Sequence, residues 1–151
     1  MILRQRAFVK PAQADRRADD NRESWRRIIE FYEEMVQSPQ WAFVEPLLAL
    51  ARQFAATERA ERFRAGQSVL TLMISTAPRH GLRPGEPFVS VAAQGAGEEF
   101  KLQYWNEVGG RVLDALVCHE DELAGAVDAL LARLWDDTVQ RGQCPAGSRF
   151  W

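Results

Sequence analysis

Little in this chain of 151 residues is chemically reactive. It has two cysteines, Cys118 and Cys144, and two histidines, His80 and His119. Two cysteines build no disulfide framework. The four soft ligands also lack zinc spacing: there is no C-x-x-C and no H-x-x-x-H. Cys118 and His119 are neighbours, so on a strand they leave opposite faces. No metal and no cofactor is therefore expected. No run is long and apolar enough to cross a bilayer. Residues 1–10 lack the apolar centre of a signal peptide, so the expected location is the cytoplasm. Lysine is scarce too. Only Lys10 and Lys101 occur beside many arginines, a usage associated with high-GC bacterial genomes.

Catalytic signatures are also missing. There is no G-x-S-x-G, and a Cys118–His80 dyad would lack an oxyanion hole of recognisable spacing. Gly95-Ala-Gly97 and Gly109-Gly110 fall between expected strands, so no helix N-terminus there can cradle a phosphate. Asp114 is the one carboxylate inside a strand pattern. Burial would make it a base, but the commoner role is that of a solvent-face partner to Lys101 or Gln103. The Glu98-Glu99 pair sits at a turn and reads as solvated. A non-enzymatic protein is the expectation.

What is present is a sheet pattern followed at once by a helix. Residues 68–75 alternate, with Leu70, Leu72 and Ile74 on one side and Val69, Thr71 and Met73 on the other. Phe88–Ala93 is short and β-rich, and because both its faces are apolar its pattern selects neither. Phe100–Trp105 alternates strictly, with Phe100, Leu102 and Tyr104 on the apolar side. Arg111–Cys118 completes a four-stranded antiparallel meander. The glycines between the later strands suit positive φ. The connection from Thr76 to Pro87 is longer and rich in proline, so a loop is expected there. From Glu120 to Thr138 the period becomes helical, with Leu123, Val127, Leu130, Leu131 and Leu134 in one stripe. Acids fill the first turn of that helix, where its dipole favours them.

Upstream, Asp20-Asn-Arg-Glu23 resembles a capping box. Trp25, Ile28, Ile29, Tyr32, Met35 and Val36 then mark an amphipathic helix ending near Gln37. A second helix is expected mainly over Pro46–Arg64, after a short turn begun by Ser38-Pro39, with Gly66 as the exit into the first strand. The predicted class is α+β, in the order α-α-β-β-β-β-α, with the helices on one face of the sheet. Residues 1–20 read as a loosely ordered basic arm, 21–142 as one domain and 143–151 as a tail.

Charge is unevenly spread. Residues 1–27 hold eight basic and four acidic side chains, whereas residues 98–137 hold ten acidic and three basic ones. Attraction between the two regions within the fold is the simplest reading. The acidic strand region argues against nucleic acid as a partner, and nothing suggests a membrane. The remaining resource is surface. The expected outward face shows Thr71, Met73, Lys101, Gln103, Trp105, Val112, Asp114 and Leu116, a mixed patch suited to a protein partner or a homodimer. Met73, Lys101, Gln103, Trp105, Asp114 and Leu116 are the candidate contact residues, with Trp105 and Met73 as anchors. Small α+β chains without catalytic motifs are often immunity proteins, secretion chaperones or assembly subunits, an association of size and class only. The competing expectation is a small-molecule binder or enzyme with a pocket between sheet and helices near the His80 loop.

Overall fold

The computed structural model describes residues 2–76, 84–95 and 97–141, with side chains described from Arg16 onward. The chain opens with helix α1 (Ile2–Met35). A short 3-10 segment (Pro39–Val44), α2 (Glu45–Ala55) and the single-turn α3 (Arg59–Arg62) follow. Five strands come next, β1 (Arg64–Ser68), β2 (Thr71–Ser75), β3 (Phe88–Gln94), β4 (Glu99–Trp105) and β5 (Val112–His119). Helix α4 (Glu120–Gln140) ends the described chain. The strands form one antiparallel sheet in sequence order, β1 to β5. The fold is α+β with an open sheet, and all four helices contribute to a single core against one face of it.

α1 buries Trp25, Ile28 and Tyr32, while Arg22, Arg26, Arg27, Glu30 and Glu33 stay exposed. The indole of Trp25 meets Phe54 edge-on and donates its N–H to the Phe63 carbonyl at 2.9 Å. One fully buried side chain thus joins α1, α2 and the segment leading into β1. The capping-box reading fails, because Asp20–Glu23 lies inside α1. The Asn21 amide reaches across to the Glu61 carbonyl (2.7 Å), and the Ser24 hydroxyl bonds back to the Asn21 carbonyl (2.6 Å). Residues 2–20 are helical and continuous with the rest of α1. A helix already nucleated by packed turns adds residues 12–19 at little cost, since none of them is proline or glycine; Pro11, which has no N–H to donate, gives no such support to the turns before it.

The second helix is shorter than its periodicity suggests. A 3-10 turn precedes it, as expected, and Pro46 sits in its first turn. The chain then breaks at residues 56–58 and makes one isolated turn. Arg64–Ser68 forms a fifth strand, where a helix end and a linker were expected. Arg-Ala-Gly-Gln-Ser has no β-branched or aromatic residue, so local propensity gives no strand signal. Its partners decide. Ala65 pairs with Ile74, and its N–H donates to the Ser24 hydroxyl of α1 at 2.9 Å.

Ion pairs form both within helices and between segments distant along the chain. Arg22 pairs with Glu61, while Arg26 and Arg27 pair with Glu23 on the same helix. In the acidic region, Asp128 holds Arg59 at 2.6 Å.

Two turns shape the sheet. Gly97 (φ +87°) lies in the β3–β4 turn against the 3-10 segment, where an added Cβ would come within 2.8 Å of the Phe43 Cβ. Only glycine meets both the angle and the approach. The β1–β2 hairpin has only Val69 and Leu70 between its last paired residues, Ser68 and Thr71. Such a loop needs positive φ, and Val69 supplies it at +56°. A β-branched residue there is strained by about 1–3 kcal/mol. The Tyr32 hydroxyl donates to the Leu70 carbonyl at 3.2 Å and helps hold the turn. Since Val69 is 81% exposed, its side chain repays little through packing. Val69→Gly should therefore stabilise the protein by roughly 1 kcal/mol. In urea unfolding this appears as a higher midpoint at unchanged slope; an unchanged or lower midpoint would show that the turn carries no strain.

Candidate functional site

Cross-strand register sorts the sheet into two faces. Phe100, Leu102 and Tyr104 of β4 point to the helices, as do Leu72, Ile74, Val89 and Val91 of β2 and β3. The other face is built in rows. One row runs Gly66, Met73, Ser90, Gln103, Ala115. The row on one side of it runs Ser75, Phe88, Trp105, Val112, and the row on the other Ala92, Lys101, Val117. The register thus brings Met73, Lys101, Gln103 and Trp105 together on the face that none of the described helices covers. Ser90 and Phe88 belong to it as well, although the sequence pattern of β3 selected neither face.

Trp105 is the fixed point of this surface. Its ring stacks on Phe88, with centroids 5.8 Å apart and planes within 3°. Its N–H donates to the Ser90 hydroxyl at 3.0 Å. The indole is therefore held in one orientation and half-buried, with its polar atom satisfied inside the sheet. What it presents outward is apolar ring. A pinned aromatic beside methionine and long polar side chains suits a protein surface, because little side-chain entropy is lost on contact.

Asp114 and Leu116 require correction, for both lie on the helix side. Leu116 pairs with Leu102, and Asp114 pairs with Tyr104. The cause is a register shift between Tyr104 and Trp105. Trp105 pairs with Val112, so Leu113 is an extra residue and inverts the alternation beyond it. Asp114 accordingly meets neither Lys101 nor Gln103. Its carboxylate lies 3.4 Å from Arg133 of α4. Arg133 also covers the Tyr104 ring at 4.5 Å and approaches Asp137 at 3.8 Å. The Tyr104 hydroxyl donates to Asp137 at 2.6 Å. The cluster ties β4 and β5 to α4, and each of its groups already has a partner.

Cys118 is buried opposite Phe100. Burial first, then Glu122 and Asp121, push its thiol upward, which makes it a poor nucleophile near neutrality. His119 faces away from Cys118, with Nδ1 3.3 Å from the Glu98 carbonyl. His80 and Cys144 lie outside the described residues, as does the loop that was to cover a pocket. Among the described residues no cluster of three or more His, Cys, Asp or Glu side chains is placed to hold a metal. No described helix is long and apolar enough to cross a membrane. Among the described residues, shallow grooves lie between α1 and β1 (about 530 Å³) and between α3 and α4 (about 420 Å³). Neither is lined by Asp114. Scans of protein-family models, curated proteins and solved structures found no match for this chain.

The chain has two tyrosines, Tyr32 and Tyr104, both fully buried. Burial pushes both phenols well above the usual tyrosine range, and at Tyr104 the bond to Asp137 adds to it. A folded-state pKa above the unfolded value means that stability is intact below about pH 10 and declines as pH rises beyond it. Absorbance at 295 nm should therefore show no tyrosinate in the native protein at about pH 10, where a free phenol is half ionised. Both phenols should ionise together only as the fold is lost. A smooth native titration at the ordinary value would contradict the burial of both rings.

Proposed function

We propose that this protein is a non-enzymatic binding module that docks a protein partner on its open sheet face. The observation that carries the reading is the pinned Trp105. A large aromatic ring is held flat by Phe88 and Ser90 at the surface of a sheet whose described helices lie on the opposite side. Met73 and Val117 extend the apolar area, and Lys101 and Gln103 supply polar contacts around it. That composition matches the centre and rim of a protein interface. A small-molecule reading draws less support. Between sheet and helices, Leu72, Ile74, Val91, Leu102 and Leu134 are fully buried in apolar packing.

Affinity capture from the source cells, with wild-type protein and single variants as bait, tests this. Trp105→Asp and Met73→Asp should each lose the protein held by the wild type at defined stoichiometry, with far-ultraviolet circular dichroism unchanged. Met73→Asp serves as the independent check, because Trp105 also covers Phe88. Equal capture by both folded variants would move the binding site off this face.

A further inference from the structure

The two edges of the sheet are treated differently. β1 is a five-residue strand flanked by α1, and the Ser24 hydroxyl takes the Ala65 N–H. β5 is eight residues long and has one neighbour among the described elements, β4. Every second residue of such a strand turns its N–H and C=O away from the sheet. Apart from the β4 ladder, no backbone hydrogen bond involves residues 112–118 among the described residues. Proteins normally blunt a bare edge with lysine, proline or an inward charge. Val-Leu-Asp-Ala-Leu-Val-Cys-His contains neither lysine nor proline. Its one carboxylate, Asp114, is drawn to Arg133. The bulge at Leu113 disturbs only the first residues. Val112, Leu113 and Val117 are 38%, 41% and 53% exposed.

Charge specifies the occupant. Arg111 stands exposed just before β5 and makes no ion pair among the described residues. Glu120, Asp121 and Glu122 stand exposed just after it, at the start of α4. In an antiparallel pairing of β5 with its own copy, the start of one strand meets the end of the other. Each Arg111 then lies beside the other copy's acidic turn, twice by symmetry. With the axis near Leu116, that residue faces itself, Ala115 faces Val117, and Asp114 faces Cys118. No like charges oppose one another.

We infer that β5 is a self-association edge, through which two copies of this chain pair antiparallel into one continuous sheet. The pairing uses the backbone edge of β5, whereas the docking proposed above uses the open face centred on Trp105; Val117 borders both.

Sedimentation equilibrium of the full chain tests the pairing. The wild type should be a dimer at micromolar concentrations. Ala115→Lys with Val117→Lys sets lysines opposite one another whether the axis lies at residue 115 or 116, and should give a folded monomer. If that double variant misfolds, Arg111→Glu serves instead. It should weaken dimerisation at least roughly tenfold at low salt, with a smaller effect at high salt. Trp105→Asp should remain dimeric, so failure of the open-face reading and failure of this one are told apart. A monomeric wild type, including one that binds only a foreign strand, would overturn the inference. So would a dimer indifferent to the substitutions on β5.

Discussion

The alternation of β4 is the constraint on which the rest of the structure depends. Phe100, Leu102 and Tyr104 are fully buried against the helices. Burying such side chains contributes about 1.5–3 kcal/mol each. A slip of one residue would expose all three and send Lys101 and Gln103 into the core. β4 also pairs along its length with both β3 and β5, so its phase propagates to them. Once Phe100 points inward, Lys101, Gln103 and Trp105 must point outward. The open face is thus a direct consequence of the core.

The helices anchor to that sheet at few but well-buried points. Trp25 connects α1, α2 and Phe63 through one ring and one hydrogen bond. At the other end, Tyr104, Asp114, Arg133 and Asp137 fasten α4 across β4 and β5. Arg133 and Asp114 are solvent-accessible, so the ion pair itself adds little stability. The buried Tyr104 ring and its short hydroxyl bond contribute more. The same cluster neutralises the one charge that would have discouraged strand pairing along β5. An arrangement that secures a helix thereby leaves an edge available.

Much of the architecture was legible in the chain, and the misses share a cause. β2, β4, β5 and α4 follow from period-two and helical patterns that burial enforces directly, and β3 from a short β-rich run apolar on both faces. The core stripe of α4, from Leu123 to Leu134, is buried as its spacing required. β1 was missed because Arg64–Ser68 has no strand propensity and becomes a strand only through β2 and Ser24. The start of α1 was missed because a plausible cap at Asp20 carries no weight inside a helix that continues through it. Asp114 and Leu116 were placed on the wrong face because alternation counted from Val112 cannot reveal an inserted residue. Leu113 bulges only where β5 meets the end of β4.

The sequence by itself determined the inner faces of β2 and β4 and the buried stripe of α4, because one side chain in two, or one stripe in three or four, must leave water. It also placed Met73, Lys101, Gln103 and Trp105 on a common outer face, since they are the complement of that core. Only the tertiary structure decided that Ser90 and Phe88 hold the Trp105 ring, that Asp114 turns to Arg133, and that β1 is tied to Ser24 of α1 while β5 has β4 as its one neighbour among the described residues. Those outcomes depend on register between segments distant along the chain. Register is fixed by the pairing of whole strands, which no local pattern encodes.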